Sequence, residues 1–169
     1  MKKGIYTVLS NRKIAKNTYE MLLSGDTGAF TRPGQFLNIK LDGFYLRRPI
    51  SVCDYTNETV TIIYKTVGHG TQAMSVLTKG AKLDILVGLG NGFDITKCSG
   101  TPLLIGGGAG VPPMFNLARR FLESGVKPVV ILGFNTADEV FYEDEFRTLG
   151  AEVHIATADG SHGEKGFVT

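Results

Sequence analysis

Between Leu103 and Phe121 the chain passes from a short apolar segment into Gly106-Gly107-Gly108-Ala109-Gly110, then Val111-Pro112-Pro113, then an amphipathic stretch. This junction restricts the fold more than any other feature. Pro102–Gly106 reads as a short apolar strand. Met114, Leu117, Ala118, Phe121 and Leu122 recur at helical spacing and form one apolar stripe. The two prolines suit a helix's first turn, and Gly125 suits its end. A strand over Pro128–Gly133 follows, then an acidic helix over Asp138–Leu149 closed by Gly150, then a strand over Glu152–Ala156. Strand–helix–strand–helix–strand predicts a parallel sheet flanked by helices. At the junction, glycines let a phosphate approach the backbone, and the unpaired N–H groups of the helix's first turn favour an anion. The spacing is not a strict Gly-x-Gly-x-x-Gly, and no Gly-Lys-Ser/Thr follows, which disfavours a P-loop nucleotide hydrolase. Taken alone, the loop also suits plain tight packing of a helix on a strand.

The first hundred residues follow another pattern. Ile5–Leu9, Tyr19–Leu23, Phe36–Leu41, Thr59–Lys65 and Lys82–Val87 are short strand-like runs. Turn residues divide them at Gly25-Asp26, Pro33-Gly34, Asp42-Gly43 and Asn57-Glu58. Many short strands at this spacing predict an antiparallel barrel or sandwich. One helix interrupts them, with Thr71 as cap, Gln72–Thr78 as body and Gly80 as stop. The pattern changes near Lys97–Thr101, which divides the chain into residues 1–98 and 99–169. The second part has only three recognisable strands, fewer than the five or six of a doubly wound nucleotide domain. Its first strand would lie open at an edge. The expected reading is an incomplete nucleotide domain from a longer protein.

A net charge of +2 and scattered basic residues predict no nucleic-acid partner. No apolar run reaches the roughly 18 residues of a membrane span, and the N-terminus carries no secretory signal. The protein is read as cytoplasmic, with no membrane association. Cys53 and Cys98 stand far apart without neighbours at ligand spacing, so no metal site is expected within the chain. No Ser-His-Asp order, paired carboxylates or His-Glu-x-x-His motif supports hydrolysis. Glycine is abundant, at 22 of 169 residues.

Three further segments carry chemistry. Arg47-Arg48-Pro49-Ile50-Ser51 combines arginines suited to phosphate oxygens with a hydroxyl that can donate to a ring nitrogen. Gly68-His69-Gly70-Thr71 is a second glycine turn leading into a helix; His69 there reads as a solvated turn residue. Asp159, in Thr157-Ala158-Asp159-Gly160-Ser161, follows the third strand, where a dinucleotide's ribose would come. No Lys or Arg lies in Thr157–Gly163, which favours NAD over NADP. An ordinary turn aspartate is the alternative.

Six ordered segments together resemble the ferredoxin–NADP reductase-like flavoprotein superfamily over nearly the whole chain. They are Pro33-Gly34-Gln35-Phe36, Arg48-Pro49-Ile50-Ser51, Ile63-Tyr64-Lys65, Gly70-Thr71, Gly88 to Phe93, and Gly106 to Met114. Within that superfamily the chain is most similar to the electron-transfer subunits of class 1B dihydroorotate dehydrogenases. The resemblance implies an antiparallel β-barrel FAD domain at 1–98, followed by the N-terminal part of an α/β parallel-sheet NAD domain at 99–169. It implies that Arg48 holds the FAD pyrophosphate and that Ser51, the catalytic candidate, contacts flavin N5. Pro49, Ile50, Ile63, Tyr64 and Lys65 would line the FAD, with Ile50 standing where many relatives carry an aromatic. Gly70 and Thr71 would meet an FAD phosphate. Gly106, Gly107, Gly108, Ala109 and Gly110 would cradle the NAD pyrophosphate, with Asp159 beyond. The implied partner is an FMN-containing dihydroorotate dehydrogenase catalytic subunit in a hetero-oligomer serving pyrimidine biosynthesis. The family's [2Fe–2S] cysteine cluster is expected in the full-length protein, but its ligands are absent from this chain. A reductase subunit of a sulfhydrogenase or of a ferredoxin:NAD(P) oxidoreductase would share these motifs, as would a flavin-binding module without turnover.

Overall fold

A computed structural model describes residues 1–168. Its first half is a closed antiparallel barrel of six strands: β1 (Lys2–Ala15), β2 (Thr18–Ser24), β3 (Phe36–Ile39), β4 (Arg48–Tyr55), β5 (Thr59–Lys65) and β6 (Lys82–Leu89), in the order β1-β2-β5-β4-β3-β6. Alternation sends Tyr6, Val8, Met21, Leu23, Leu37, Ile39, Val60, Ile62, Ile85 and Val87 into a closed core. β1 is much longer than the five residues expected for it. Residues 2–7 pair with β6 and residues 7–15 with β2, with register shifts after Val8 and Lys13. Such bulges bend one strand around a barrel corner.

Expectation and structure part company at several places. Arg48–Tyr55, read as a ligand motif rather than a strand, is β4, which pairs with both β3 and β5. The helix predicted to start after a Thr71 cap is α1 (His69–Ser75), capped at Gly68. Thr71 sits inside its first turn, where Oγ1 accepts from the N–H groups of Val67 and Gly68 at 3.0 and 3.2 Å.

The second half is a parallel sheet in the order β10-β9-β8-β7, built from β7 (Leu103–Gly107), β8 (Val129–Phe134), β9 (Glu152–Thr157) and β10 (Glu164–Lys165). It has four strands where three were read, because two polar residues beyond the Gly163 turn pair with Ala156 and Thr157. β7 lies at the edge, with Leu103 and Ile105 outward and exposed. Helix α2 (Val111–Glu123) lays Met114, Leu117, Ala118 and Phe121 on the sheet, as its periodicity predicts. The helix expected over Asp138–Leu149 is a 3-10 turn at Ala137–Glu139 and, separately, α3 (Glu143–Leu149). Phe141 and Tyr142 between them are buried, and Tyr142 takes a left-handed φ of 67°. Burial of the two rings outweighs continuous helix there.

The two halves share a core. Cys53 of β4 and Ile63 of β5 are buried with Val111, Leu117 and Phe146 of the α/β half.

Candidate functional site

β4 presents Arg48, Pro49, Ile50 and Ser51 along one wall of a cavity of about 310 Å³. β5 supplies Ile63, Tyr64 and Lys65 along another. Thr71 from α1 and Ala109 from the glycine loop close it, so both halves contribute. Arg48 Nη1 donates to Leu46 O at 2.6 Å, and the guanidinium lies over the Phe44 ring, 4.9 Å from its centroid. Among the described residues no carboxylate pairs with it. Arg47 is the opposite case: it bonds Asp84 Oδ1 at 2.9 Å and the carbonyls of Asn38 and Asp84. The arginine pair therefore divides into one structural and one available cation. Gly70 makes this possible, because a Cβ there would overlap Arg48 Nε. The Thr71 hydroxyl is committed to the turn, donating to Gly68 O at 3.0 Å. The Tyr64 ring stacks on Tyr19 in the barrel core, its hydroxyl donates to Asn11 Oδ1 at 2.8 Å, and burial pushes its pKa to about 12. Tyr64 is therefore a neutral structural phenol beside the cavity.

A second cavity of about 250 Å³ adjoins the ends of β7 and β8. Gly107 and Gly108 form one side, Gly133, Phe134, Asn135 and Glu139 another, and Gly166 to Val168 the rim. Lys65 lines this cavity too. Gly106 is buried beneath it: a Cβ there would stand 2.9 Å from Gly110 O and 3.0 Å from Val111 Cα. Gly108 has φ 49°, and Gly108–Gly110 form a 3-10 turn leading directly into α2. Asp159 lines neither cavity. It stands at the same end of the sheet, and its carboxylate accepts from Ser161 N and Oγ at 3.0 and 2.6 Å, which lowers its pKa. Lys165, beyond the interval read for basic residues, lies against Gly160 beside it.

Polar contacts hold the halves together. Asp54 on β4 accepts from Asn116 Nδ2 at 2.6 Å and pairs with Arg119 at 2.5 Å, and Arg119 also donates to Tyr55 O. Tyr142 Oη donates to Glu20 Oε2 at 2.7 Å, and burial raises the tyrosine's pKa. Removing that hydroxyl in Tyr142→Phe is expected to cost about 1 kcal/mol in urea unfolding, the usual net worth of one hydrogen bond. Lys65 Nζ donates to Glu139 Oε2 at 2.8 Å, with both groups partly buried.

The Lys65 hydrogen bond holds the Glu139 carboxyl below its ordinary 4.5. A carboxylate with a depressed folded pKa adds stability that is complete above the unfolded pKa and lost as pH falls through the folded one. Stability should therefore fall on acidification below about pH 4.5, and Glu139→Gln should flatten that limb by no more than about 1 kcal/mol. Equilibrium unfolding at a series of pH values checks this. Reasoning from sequence missed Asn116, Glu139 and Tyr142. Only Asn116 left a trace, as a polar residue beside Leu117 on the helix's apolar stripe.

No family model matches the chain. A Fusobacterium nucleatum protein named "Dihydroorotate dehydrogenase B (NAD(+)), electron transfer subunit" is 49% identical over 171 residues, covering 96% of this chain and 66% of the relative. A Bacillus velezensis protein of the same name is 44% identical over 177 residues, covering all of this chain and 69% of that one. The chain thus spans about two thirds of these relatives' length. The solved structure of an NADH-dependent reduced ferredoxin–NADP oxidoreductase superposes with a TM-score of 0.85 at 29% identity, over 96% of this chain and 60% of that one. Phthalate dioxygenase reductase superposes at 0.73 and 21% identity, over 94% and 52%, a likeness of fold alone. The barrel followed by a parallel sheet is a fold shared with these solved reductases, and the sequence kinship with the two electron transfer subunits runs along the whole chain. On that footing the chain belongs to the family of dihydroorotate dehydrogenase B electron transfer subunits.

Proposed function

We propose that this chain binds FAD in the barrel-side cavity and NAD(H) in the sheet-side cavity, and passes electrons from the nicotinamide through the flavin to a partner protein. The observation that carries this reading is that one residue, Lys65, borders both cavities, while Arg48 and Ala109, from different halves, share the first. FAD suits the residues present. Arg48 is an available cation seated against Gly70, where a side chain would collide, and Ser51 stands half-buried on the same strand. Arg48 would hold the pyrophosphate, with Gly70 and Thr71 at the neighbouring turn. Pro49, Ile50, Ile63 and Lys65 would line the flavin, and Ser51 would face its reactive nitrogen. Bound FAD supplies the hydride-accepting ring; the protein orients and tunes it. Gly106 to Gly110 would cradle the NAD pyrophosphate against the first turn of α2. Asp159 favours NAD, in keeping with the NAD(+) in the relatives' names.

The partner we propose is an FMN-containing dihydroorotate dehydrogenase catalytic subunit in a hetero-oligomer of the cytoplasm. No helix among the described residues is long and apolar enough to cross a membrane. A [2Fe–2S] centre does not fit these residues: Cys53 is buried at the join, Cys98 is exposed, and no group of three metal-ligating side chains occurs among the described residues. Such a centre would need ligands from elsewhere in a full-length protein. The 29% identity to an NADH-dependent ferredoxin–NADP oxidoreductase supports a ferredoxin-linked reductase as the second reading.

Chain reconstituted with FAD should be yellow, and stopped-flow mixing with NADH should bleach the flavin in a saturable phase. Restoration of electron transfer by a dihydroorotate-oxidising subunit, and not by ferredoxin, would select the first reading. A chain that retains no flavin would exclude both.

A further inference from the structure

Lys65 closes the Ile63-Tyr64-Lys65 segment, but its partner lies in the other half of the molecule. It is the last residue of β5, its side chain reaches the junction of the two cavities, and its ammonium is taken by a carboxylate from the other half of the molecule. That carboxylate, Glu139, lies on the 3-10 turn after β8, and Asn135 Nδ2 donates to the same Oε2 at 3.0 Å. Glu139 is thus held from two sides, with its side chain 17% exposed and that of Lys65 22% exposed. Charges so placed are screened far less than surface pairs. Among the described residues, Asn135 beside the pair is neutral, and the nearby Lys16 is engaged by Asp138 at 3.0 Å.

We propose that Glu139 is a positioning residue for electron transfer: it fixes Lys65 between the two cofactor cavities and balances the charge that the flavin meets there. The inference rests on the flavin reading given above. Hydride delivery adds two electrons and one proton to the flavin, so the ring gains one negative charge, while the nicotinamide that loses the hydride becomes a cation. With Glu139 in place, Lys65 and its partner present no net charge at the junction. Without the carboxylate, a lone ammonium faces the ring and favours its reduced form. Without the ammonium, a lone carboxylate opposes reduction. With both neutralised, the balance returns.

The test is the flavin midpoint potential of the FAD-loaded chain, read spectrophotometrically against reference dyes, with FAD affinity measured alongside. Glu139→Gln is expected to raise the potential and Lys65→Met to lower it. The double variant should come back close to the unsubstituted value. Glu139→Asp, which keeps the charge, should stay nearer the unsubstituted protein than Glu139→Gln does. A merely structural role would not give opposite shifts that cancel. Single variants that bind FAD with unchanged potentials, or that shift it in one direction, overturn the proposal alone. An unsubstituted chain that binds no FAD overturns the flavin reading and this proposal with it.

Discussion

Arg48→Ala is expected to weaken FAD binding roughly ten- to a hundredfold while leaving the barrel folded. A hydrogen bond to a charged group is worth about 1.5–3 kcal/mol, and each 1.4 kcal/mol is about tenfold in affinity. The barrel itself asks little of this side chain, which among the described residues bonds the Leu46 carbonyl, lies over the Phe44 ring and rests against Gly70. Arg48→Lys should recover part of the loss, since an ammonium keeps the charge but not the planar fork. Titrating flavin-free protein with FAD and following the quenching of flavin fluorescence gives the affinity directly. An unchanged affinity would remove Arg48 from the phosphate site. Arg47→Ala makes the control with the opposite signature: it breaks the contacts to Asp84 and Asn38, so it should lower stability more than it lowers affinity.

Gly106→Val should have the other large effect, in the α/β half. The new Cβ would stand 2.9 Å from the Gly110 carbonyl oxygen and 3.0 Å from Val111 Cα. Both are backbone atoms at the entry to α2, so the branched side chain cannot be accommodated by a rotamer change alone. Overpacking of this kind typically costs about 1–3 kcal/mol, and it would open the turn proposed to cradle a diphosphate. The expected result is a thermal midpoint lower by several degrees and loss of nearly all nicotinamide-dependent flavin reduction. The barrel should still take up FAD, because Gly106 borders none of the barrel strands' pairings. A variant with ordinary stability and ordinary reduction by NADH would show that the loop is only a packing turn.

The two predictions draw on features of different legibility. Local chemistry stood in the sequence: Gly106 to Gly110 before two prolines, Arg48-Pro49-Ile50-Ser51 on one short segment, and the apolar stripe of α2 from Met114 to Phe121. Each depends on neighbours within a few residues, so spacing and residue type suffice to read it. The same reasoning failed at the Phe141-Tyr142 step, where burial of two rings broke an acidic helix in two. It failed as well at β4, whose pairing partners decide its strand character more than its own residues do.

From the sequence alone came the order of a barrel and a parallel sheet, and the two glycine turns. Tertiary structure alone decided which of two adjacent arginines lacks a carboxylate partner among the described residues, because the partner that occupies Arg47 lies 37 positions away. It also decided that Lys65 meets Glu139 across 74 positions, and that Tyr142 meets Glu20 across 122. Pairings at that range follow from how the barrel closes and how the sheet docks on it. No local propensity encodes them, and one of them, Lys65 with Glu139, stands where the two cavities adjoin.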